Sequence, residues 1–495
     1  MALTLFYHNK KDYPILLILI KSFNKCIENA QNHFKLYNVR MRYLILVLTI
    51  FFTALNSFAL DVVYPKTREV SINSNTTFFI GSADANSILT INGEKVPVHT
   101  SGGFAHFVTL KKGENLFVLK SNDEELIFNI NKKEVPQSSK KSVFIPFSEL
   151  KSISTAHDNT TIRTTPIDGG INRAGSLPEN IELLADGEQN GFYRITMNEN
   201  EKFWVAKTDV KPQAFTNPTS LFILSRDFQE TSKDYIYTFT LNEKIPYVVR
   251  ENNDDEFENG IGLSLYNPLA TNGYEMYFPV QHQLFGYGAD FEDNKLILKI
   301  RKLPKISQHR PLKNIKITVD AGHGGSENGA IGCLGDKEKD INLDVAQRLE
   351  RILITRGAKV VMTRNTDEKV SLSKRVEIAN ENDSSIFVSI HSNALPDSKN
   401  PIDYRGSGTY YYYPQAKTLA EEILSSLNTD ANTQNDGVHQ ASFAVVRNTK
   451  AISVLVELAY LINPEDNALL INKDFRQKCA VAIANGLENY LRNAK

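Results

Sequence analysis

Three residues in the C-terminal part of the chain have the types that bind zinc in hydrolytic enzymes: His323, Glu338 and His391. Two histidines and one glutamate are the protein ligands of many catalytic zinc sites, in which the fourth position stays open for water. A further residue, Glu457, lies within the apolar segment Val-Leu-Val-Glu-Leu-Ala. An ionisable group in a buried strand needs a partner or has a shifted pKa, and such groups cluster at functional sites. These residue types indicate a zinc centre with an open water position.

Each of these residues also has an ordinary structural explanation. A histidine at the end of a strand more often hydrogen-bonds a backbone carbonyl than binds a metal. Glu338 lies between Lys337 and Lys339, so it could be a solvated acid at the start of a helix. Residue types alone leave both explanations open.

The pattern of residues 312–495 predicts the elements that would bring these side chains together. Apolar runs alternate with helical spacings, which indicates an α/β domain with a mainly parallel sheet flanked by helices. His323 follows the first predicted strand, His391 ends the third and Glu457 ends the last. Because functional groups gather at the carboxyl ends of parallel strands, we expect them to meet at one edge of the sheet. The predicted strands are Ile315–Val319, Ala358–Met362, Ser385–Ile390, Gly408–Tyr413, Phe443–Arg447 and Val454–Leu458, and the predicted helices are Asn342–Arg356, Ser373–Asn382, Ala416–Leu427 and Phe475–Leu491.

The preceding region predicts N-terminal all-β accessory domains, so the chain is expected to be multidomain. Residues 61–135 alternate apolar and polar positions between Asn-Gly, Gly-Gly and Lys-Gly turns, which is typical of a small β-sandwich. The stretches ILTINGEKVPVH and FAHFVTLKKGENLFVLKS resemble the immunoglobulin-like modules of bacterial surface enzymes. A polar linker at Gln137–Lys141 precedes residues 143–212, and residues 218–302 form a third predicted accessory β domain.

Residues 143–212 resemble the bacterial Src-homology-3-like domains. The resemblance rests on Asn190-Gly191-Phe192-Tyr193 and on Phe203-Trp204-Val205. In that family aromatic turns line a ligand groove, often for peptidoglycan peptides. Trp204, the single tryptophan of the chain, could instead fill the core of the barrel, as large aromatic side chains usually do.

Residues 41–59 have the pattern of a secretory signal peptide. Arg42 precedes an apolar core from Leu44 to Leu55, and Ser57-Phe58-Ala59 supplies small residues for cleavage. The run is shorter than the roughly 20 apolar residues of a membrane span, so no stable membrane anchor is expected after cleavage. Residues 1–40 would be an upstream extension. The mature protein is expected to be exported to the periplasm, the cell envelope or the exterior.

Composition argues against two classes of protein. Lysine and arginine number 56 against 57 aspartate and glutamate, which gives a net charge of -1. A protein that grips nucleic acid needs a clear excess of cations, so no nucleic-acid partner is expected. The three cysteines, Cys26, Cys333 and Cys479, are too few for a disulfide framework, and whether any of them pair stays open.

Four segments carry a specific resemblance: ITVDAGHGGSENGAIGCLGDKEKDINL, VVMTRNTDEKVSLSKRVEIAN, SIFVSIHSNALP and GVHQASFAVVRNTKAISVLVELAYLIN. Together, over residues 314–492, they resemble the zinc-dependent N-acetylmuramoyl-L-alanine amidases, which are bacterial cell-wall hydrolases. The resemblance implies that His323, Glu338 and His391 hold Zn²⁺ and that Glu457 is the catalytic glutamate. It implies peptidoglycan as substrate, cleaved at the amide bond between N-acetylmuramic acid and L-alanine of the stem peptide.

Asn393 and Arg447 are candidates for orienting the substrate, although both could be surface hydrogen-bonding groups. In some relatives an inhibitory helix lies between the second histidine and the catalytic glutamate. Here the 66 positions from His391 to Glu457 are filled by a predicted strand, helix and strand, so no such helix is expected. Control would then come from an activator or envelope partner acting through the β modules. A zinc carboxypeptidase of similar fold and a non-catalytic cell-wall-binding protein remain as alternative functions.

Overall fold

The computed structural model describes residues 59–134, 142–197, 201–215, 220–252 and 259–494. The predicted upstream extension, the predicted signal peptide up to Phe58 and the predicted linker Gln137–Lys141 lie outside these ranges. From Leu60 onward the described residues belong to one compact unit. Within them, no helix has the length and apolar character needed to cross a membrane.

The first β module (residues 60–134) has two sheets, with strand orders β1-β3-β6 and β2-β8-β7-β4-β5. Phe79 from the first sheet packs edge-on against Phe117 and Phe128 from the second, with ring centroids 5.2 and 5.4 Å apart. Along β7, Phe117 and Leu119 are buried while Leu116 is exposed, as the two-residue period of a half-buried strand requires. The strands are β1 (Asp61–Tyr64), β2 (Glu69–Ile72), β3 (Thr76–Ser82), β4 (Leu89–Ile91), β5 (Glu94–Val96), β6 (Gly103–Thr109), β7 (Gly113–Ser121) and β8 (Glu124–Lys132).

The second β module (residues 142–215) is one antiparallel seven-stranded sheet with the order β11-β10-β14-β13-β12-β9-β15. Trp204 is 8% exposed and meets the Phe144 ring edge-on at 5.9 Å. The indole is therefore buried, but on the face of β14 opposite Phe203 and Val205, which belong to the apolar core. The strands are β9 (Ile145–Thr155), β10 (Thr160–Arg163), β11 (Arg173–Leu177), β12 (Glu182–Gln189), β13 (Phe192–Thr196), β14 (Lys202–Ala206) and β15 (Val210–Pro212).

The third β module (residues 220–302) has a four-stranded sheet, β16-β17-β22-β21, and a three-stranded sheet, β18-β19-β20. Its buried side chains form one continuous apolar core with those of the second module. The two sequence regions therefore pack as a pair. The strands are β16 (Ile223–Glu230), β17 (Asp234–Leu241), β18 (Tyr247–Asn252), β19 (Gly260–Asn267), β20 (Asn272–Pro279), β21 (Tyr287–Glu292) and β22 (Lys295–Arg301).

The C-terminal domain (residues 312–494) contains a six-stranded sheet with the order β24-β23-β25-β28-β26-β27. The β26–β28 pair is antiparallel and the other four pairs are parallel. α5 packs against α1 and α3 on one face of the sheet, whereas α2 and a 3-10 turn at Ala444–Val446 cover the other. The elements are β23 (Lys316–Ala321), α1 (Glu338–Thr355), β24 (Lys359–Met362), α2 (Leu372–Glu381), β25 (Ile386–Asn393), β26 (Ser407–Tyr411), α3 (Lys417–Asp430), β27 (Asn435–Gln440), β28 (Ile452–Tyr460), α4 (Pro464–Ile471) and α5 (Lys473–Asn493).

One predicted strand of this domain is wrong. Phe443–Arg447 is not a strand but surrounds the 3-10 turn, in which Val445 and Val446 are buried beneath the sheet. The strand that pairs with β26 is instead β27, with the polar sequence NDGVHQ. An edge strand is covered on only one side, so it does not need the apolar residues by which strands are recognised.

Helix content also differs from the prediction. α1 begins at Glu338 rather than at Asn342, and α4 precedes the predicted closing helix, capped by the side chain of Asn463. Between β25 and β28, all of which is described, lie β26, α3, β27 and three short 3-10 turns. Cys333 and Cys479 are both buried free thiols.

Candidate metal centre and active site

The strands that carry the predicted site residues lie side by side. β25 pairs in parallel with β23 on one side and with β28 on the other. His391 and Glu457 are neighbours in this register, and His323 lies two residues after β23. Glu338 reaches the same edge from the first turn of α1. The topology therefore brings all four residues to the carboxyl ends of adjacent strands.

His323, Glu338 and His391 form a cluster in which one nitrogen or oxygen atom from each lies within 4.8 Å of the others. Nε2 of His323 is 3.1 Å from Oε2 of Glu338, and Nδ1 of His391 is 2.9 Å from Oε1. The Glu338 side chain is 6% exposed and that of His323 is 31% exposed. The cluster is thus anchored in the interior and opens to solvent on the His323 side.

Hydrogen bonds hold the Glu338 carboxylate in place. Oε2 accepts from the backbone N–H of Ala330 at 2.8 Å, and Oε1 accepts from the Asn342 amide at 3.1 Å and from the backbone N–H of Ser392 at 3.2 Å. Burial on its own raises the pKa of Glu338, but the hydrogen bonds and positive charge of the two histidines outweigh it and hold this pKa well below its usual range. Glu338 is therefore a buried, oriented carboxylate rather than a solvated helix acid.

Two glycines make room for the cluster. A Cβ on Gly322 would lie 2.3 Å from the His391 ring, and a Cβ on Gly329 would lie 2.3 Å from Oε2 of Glu338. His323 itself has a positive φ of 60°, which a non-glycine residue adopts at a cost. The backbone of this loop therefore adopts a conformation that leaves space for the side chains of His391 and Glu338.

Two buried arginines, which sequence reasoning missed, support the loop that carries His323. Arg375 of α2 donates to Oδ1 of the fully buried Asp320 at 2.5 Å, to the Ala321 carbonyl at 2.7 Å and to the His323 carbonyl at 2.8 Å. Arg364 donates to the carbonyls of Ala321 and Gly322 at 2.8 and 3.0 Å. These hydrogen bonds to backbone carbonyls hold the loop that carries His323 in position.

Glu457 is 9% exposed, and its Oε2 has no hydrogen-bond partner in the described part of the chain. Burial raises the pKa of Glu457 well above its usual range, and the nearby carboxylates of Glu338 and Asp436 raise it further. A buried carboxylate without a structural hydrogen bond is costly. With no described residue bonded to it, this oxygen can accept a hydrogen bond from a bound group.

A polar cluster with members on β25, β26, β27 and β28 lies beside Glu457. The Asn393 side chain hydrogen-bonds the Tyr410 hydroxyl, whose pKa is raised to about 12 by burial and by the charges of Glu457 and Asp436. The Tyr460 hydroxyl donates to Oδ2 of Asp436 at 2.9 Å. Of these residues only Asn393 was predicted. The other three residues were missed because no sequence motif marks them: they are Tyr410, Asp436 and Tyr460, in β26, β27 and β28.

Arg447 is not brought to this cluster. Arg447 precedes the first residue of β28 by five positions, whereas Glu457 is the sixth residue of that strand. The start of β28 and Glu457 are therefore separated by about 17 Å of extended strand. Its guanidinium donates to the carbonyl and hydroxyl of Ser442.

The residues present fit a zinc ion. Two imidazole nitrogens and one carboxylate oxygen are the donors that zinc prefers. A tetrahedral centre with bonds of about 2.0–2.2 Å separates its ligand atoms by about 3.3 Å, close to the 2.9 and 3.1 Å that separate the histidine nitrogens from the Glu338 oxygens. The hydrogen bonds to Glu338 provide the outer support that metal-binding carboxylates require.

The part of the chain that carries this site resembles known proteins. The model of the N-acetylmuramoyl-L-alanine amidase family matches residues 317–489. The N-acetylmuramoyl-L-alanine amidase LytC of Bacillus subtilis (strain 168) is 39% identical over 186 residues, which are 37% of this chain and 36% of LytC. The uncharacterized protein YqiI of the same strain is 34% identical over 197 residues, 39% of this chain and 93% of YqiI.

The probable cell wall amidase LytH of Staphylococcus epidermidis is 37% identical over 36% of this chain and 60% of LytH. Among solved structures, the amidase AmiC2 of Nostoc punctiforme is 36% identical, with a TM-score of 0.35, over 36% of this chain and 98% of that chain. The chain thus spans about a third of LytC and three fifths of LytH. The family match contains all four site residues, and nearly the whole of YqiI aligns with this chain. The chain therefore belongs to the N-acetylmuramoyl-L-alanine amidase family.

Proposed function

We propose that this protein hydrolyses the amide bond between the lactyl group of N-acetylmuramic acid and L-alanine in peptidoglycan, with Zn²⁺ held by His323, Glu338 and His391. The observation that carries the proposal is the convergence of these three ligands within 4.8 Å beside the Glu457 carboxylate. When bound, zinc would supply a water of lowered pKa and polarise the amide carbonyl.

In this proposal Glu457 is the acid–base residue. Its Oε2 has no partner among the described residues, so it is available to accept the proton of the attacking water. Burial and the negative charges of Glu338 and Asp436 favour the protonated form, which lets Glu457 pass the proton to the departing amine of L-alanine. One carboxylate would thus serve as base and then as acid.

Asn393 and Tyr410 are the groups that we propose to contact the substrate. Their side chains hydrogen-bond each other, and Tyr410 lies within the electrostatic reach of Glu457. An amide and a phenol provide both donors and acceptors, which suits a substrate rich in amides and hydroxyls.

A carboxypeptidase of similar fold would need a cation near the metal for the terminal carboxylate of a peptide. Arg364 and Arg375, which contact the metal-site loop, are both occupied by backbone carbonyls or by Asp320. Arg447 lies at the other end of β28. The arrangement therefore favours the proposed amidase over a carboxypeptidase.

The setting that we propose is the bacterial cell envelope. Export by the predicted signal peptide would deliver the enzyme to the periplasm or cell exterior, where peptidoglycan is its macromolecular partner. The β modules would provide the contact to an activator or to another envelope component.

Digestion of purified peptidoglycan tests the proposal, with the released fragments read by mass spectrometry. We expect free stem peptides that begin with L-alanine, lost on addition of a chelator and restored by zinc. Glu457→Gln should reduce the rate by about 10²- to 10⁴-fold. Glu327→Gln is the matched control, because Glu327 lies in the same region but is exposed and pairs with Lys369.

Two other results would contradict the proposal. Release of single C-terminal amino acids would indicate a carboxypeptidase. Intact muropeptides from a zinc-loaded protein that binds peptidoglycan would indicate a wall-binding protein.

A further inference from the structure

A cavity of about 110 Å³ lies where the second β module, the third β module and the C-terminal domain meet. Arg173 of β11 lines it from the second module, Tyr247 and Tyr287 from the third, and Tyr413 and Arg447 from the C-terminal domain. The cavity is therefore shared by three parts of the chain.

Two guanidinium groups contribute to this cavity without a counterion. Burial lowers the pKa of Arg173, and the charge of Arg447 lowers it further. Arg447 donates to Ser442 at 3.2 and 3.3 Å. Neither arginine forms an ion pair with a carboxylate among the described residues. The Glu251 carboxylate nearby accepts from the backbone N–H of Gln415 at 2.8 Å and hydrogen-bonds the Tyr287 hydroxyl.

The position of Arg173 is set by the protein. Its backbone N–H donates to the Tyr412 hydroxyl at 2.8 Å, and the same hydroxyl contacts its carbonyl at 3.4 Å. The module that carries Arg173 is thus tied to the C-terminal domain next to Arg447. Arg173 and Arg447 are both half-buried, and two like charges in such a setting repel each other unless an anion accompanies them.

We propose that this cavity binds a small oxyanion, the carboxylate of a peptide or a free phosphate, between Arg173 and Arg447. The planar fork of an arginine side chain matches both kinds of group through paired hydrogen bonds. A cavity of about 110 Å³ has room for such a group. The site lies at the amino end of β28, away from the metal cluster at the carboxyl end, so it goes beyond the proposed hydrolysis and does not depend on it.

Binding there would have a structural consequence. An anion held by Arg173 and Arg447 contacts the second β module and the C-terminal domain at once. A ligand that binds the folded arrangement stabilises it by an amount that grows with the logarithm of its concentration over its dissociation constant. The oxyanion would therefore strengthen the attachment of the accessory modules to the C-terminal domain.

The test uses the full chain with zinc present, at constant ionic strength in chloride. Thermal midpoints and calorimetric titrations are measured with sodium acetate, inorganic phosphate, the dipeptide D-alanyl-D-alanine and its C-terminal amide. The variants are Arg173→Met and Arg447→Met, with Arg226→Met as control, because Arg226 lies on the exposed strand β16.

We expect one oxyanion per chain, with affinity at least about tenfold weaker in either cavity variant and unchanged in Arg226→Met. Without oxyanion, Arg173→Met should unfold at or above the wild-type temperature, because the variant removes an uncompensated charge. Tighter binding of the free dipeptide than of its amide identifies a peptide carboxylate, and tightest binding of phosphate identifies that anion. Equal binding by all four proteins, absence of binding at millimolar concentrations, or a destabilisation of Arg173→Met that is the same with and without anion would overturn the proposal.

Discussion

The Tyr64 hydroxyl donates a 2.6 Å hydrogen bond to Oδ1 of Asp397, a residue 333 positions later in the chain. The Thr77 hydroxyl donates to the same oxygen at 2.7 Å. Asp397 lies in the loop that follows β25, a few residues beyond His391 and Asn393. The first β module therefore contacts a loop that leaves the metal centre.

The same module contacts two further loops of this kind. Phe78 and Ile80 of β3 pack in one apolar cluster with Cys333, which lies between His323 and Glu338, and with Ile462, which follows β28. The three loops that leave the site strands thus rest on one β-sheet. We therefore expect the first β module to support the geometry of the site.

Tyr64→Phe tests this support. The change removes one hydrogen bond to a carboxylate and leaves the ring in place, so we expect the free energy of unfolding to fall by about 1 kcal/mol. Hydrolysis should slow as the loop after β25 loosens. Chemical denaturation and peptidoglycan digestion measure the two effects. Tyr235→Phe is the control, because the Tyr235 hydroxyl has no hydrogen bond in the described part of the chain, and equal effects of both variants would exclude this role.

Asp383 joins the third β module to the C-terminal domain. Lys233 contacts its carboxylate at 2.6 Å and Arg301 makes a second ion pair with it. Burial tends to raise the pKa of Asp383, but the Lys233 hydrogen bond and the charges of Arg301 and Lys233 lower it overall. A lowered folded-state pKa stabilises the fold above the unfolded value of about 3.9, and this contribution is lost as pH falls toward the folded value.

We therefore expect Asp383→Asn to lower the unfolding temperature at neutral pH, by an amount equivalent to about 1 kcal/mol or less, since the site is partly exposed. The difference from wild type should shrink as pH falls below about 4. Asp383 has a positive φ of 51°, which asparagine tolerates. Asp293→Asn, with a φ of 49° and an exposed side chain, is the matched control. A difference that does not depend on pH would contradict the assignment.

Arg375→Lys tests the support behind His323. Lysine keeps the charge but cannot bond Asp320 and the carbonyls of Ala321 and His323 together. Loss of such outer contacts lowers metal affinity by about 10- to 100-fold, so we expect weaker zinc binding in competition with a chromogenic chelator. Arg351→Lys on the exposed face of α1 should bind zinc like the wild type. Unchanged affinity in Arg375→Lys would mean that the loop holds its shape without this arginine.

These contacts also explain what the sequence could predict. His323, His391 and Glu457 lie at strand ends that apolar runs locate, so their meeting followed from the rule for parallel sheets. Arg375 lies in a helix of mixed polarity, where an arginine ordinarily faces water. Its burial depends on carbonyl groups of a loop 52 positions earlier, and that contact has no local sequence pattern. The contact between Tyr64 and Asp397 could not be predicted for the same reason.

Glu457→Gln separates a catalytic role from a structural one. In the zinc-free protein the Glu457 carboxyl group is buried beside Glu338 and Asp436, and burial together with their charges raises its pKa. Replacing it with the isosteric amide keeps the shape and removes an ionisable group whose charged form burial disfavours, so the chelator-treated variant should be at least as stable as wild type. Hydrolysis by the zinc-loaded variant should nevertheless fall by about 10²- to 10⁴-fold.

Glu338→Gln provides the contrast for this measurement. Glu338 pairs with both histidines, so its neutralisation should lower the stability of the zinc-free protein and weaken zinc binding as well as activity. Thermal unfolding with and without zinc distinguishes the two variants. If Glu457→Gln lost stability and zinc binding as Glu338→Gln does, Glu457 would be part of the framework of the site, and the proton transfer assigned to it would have to come from another group.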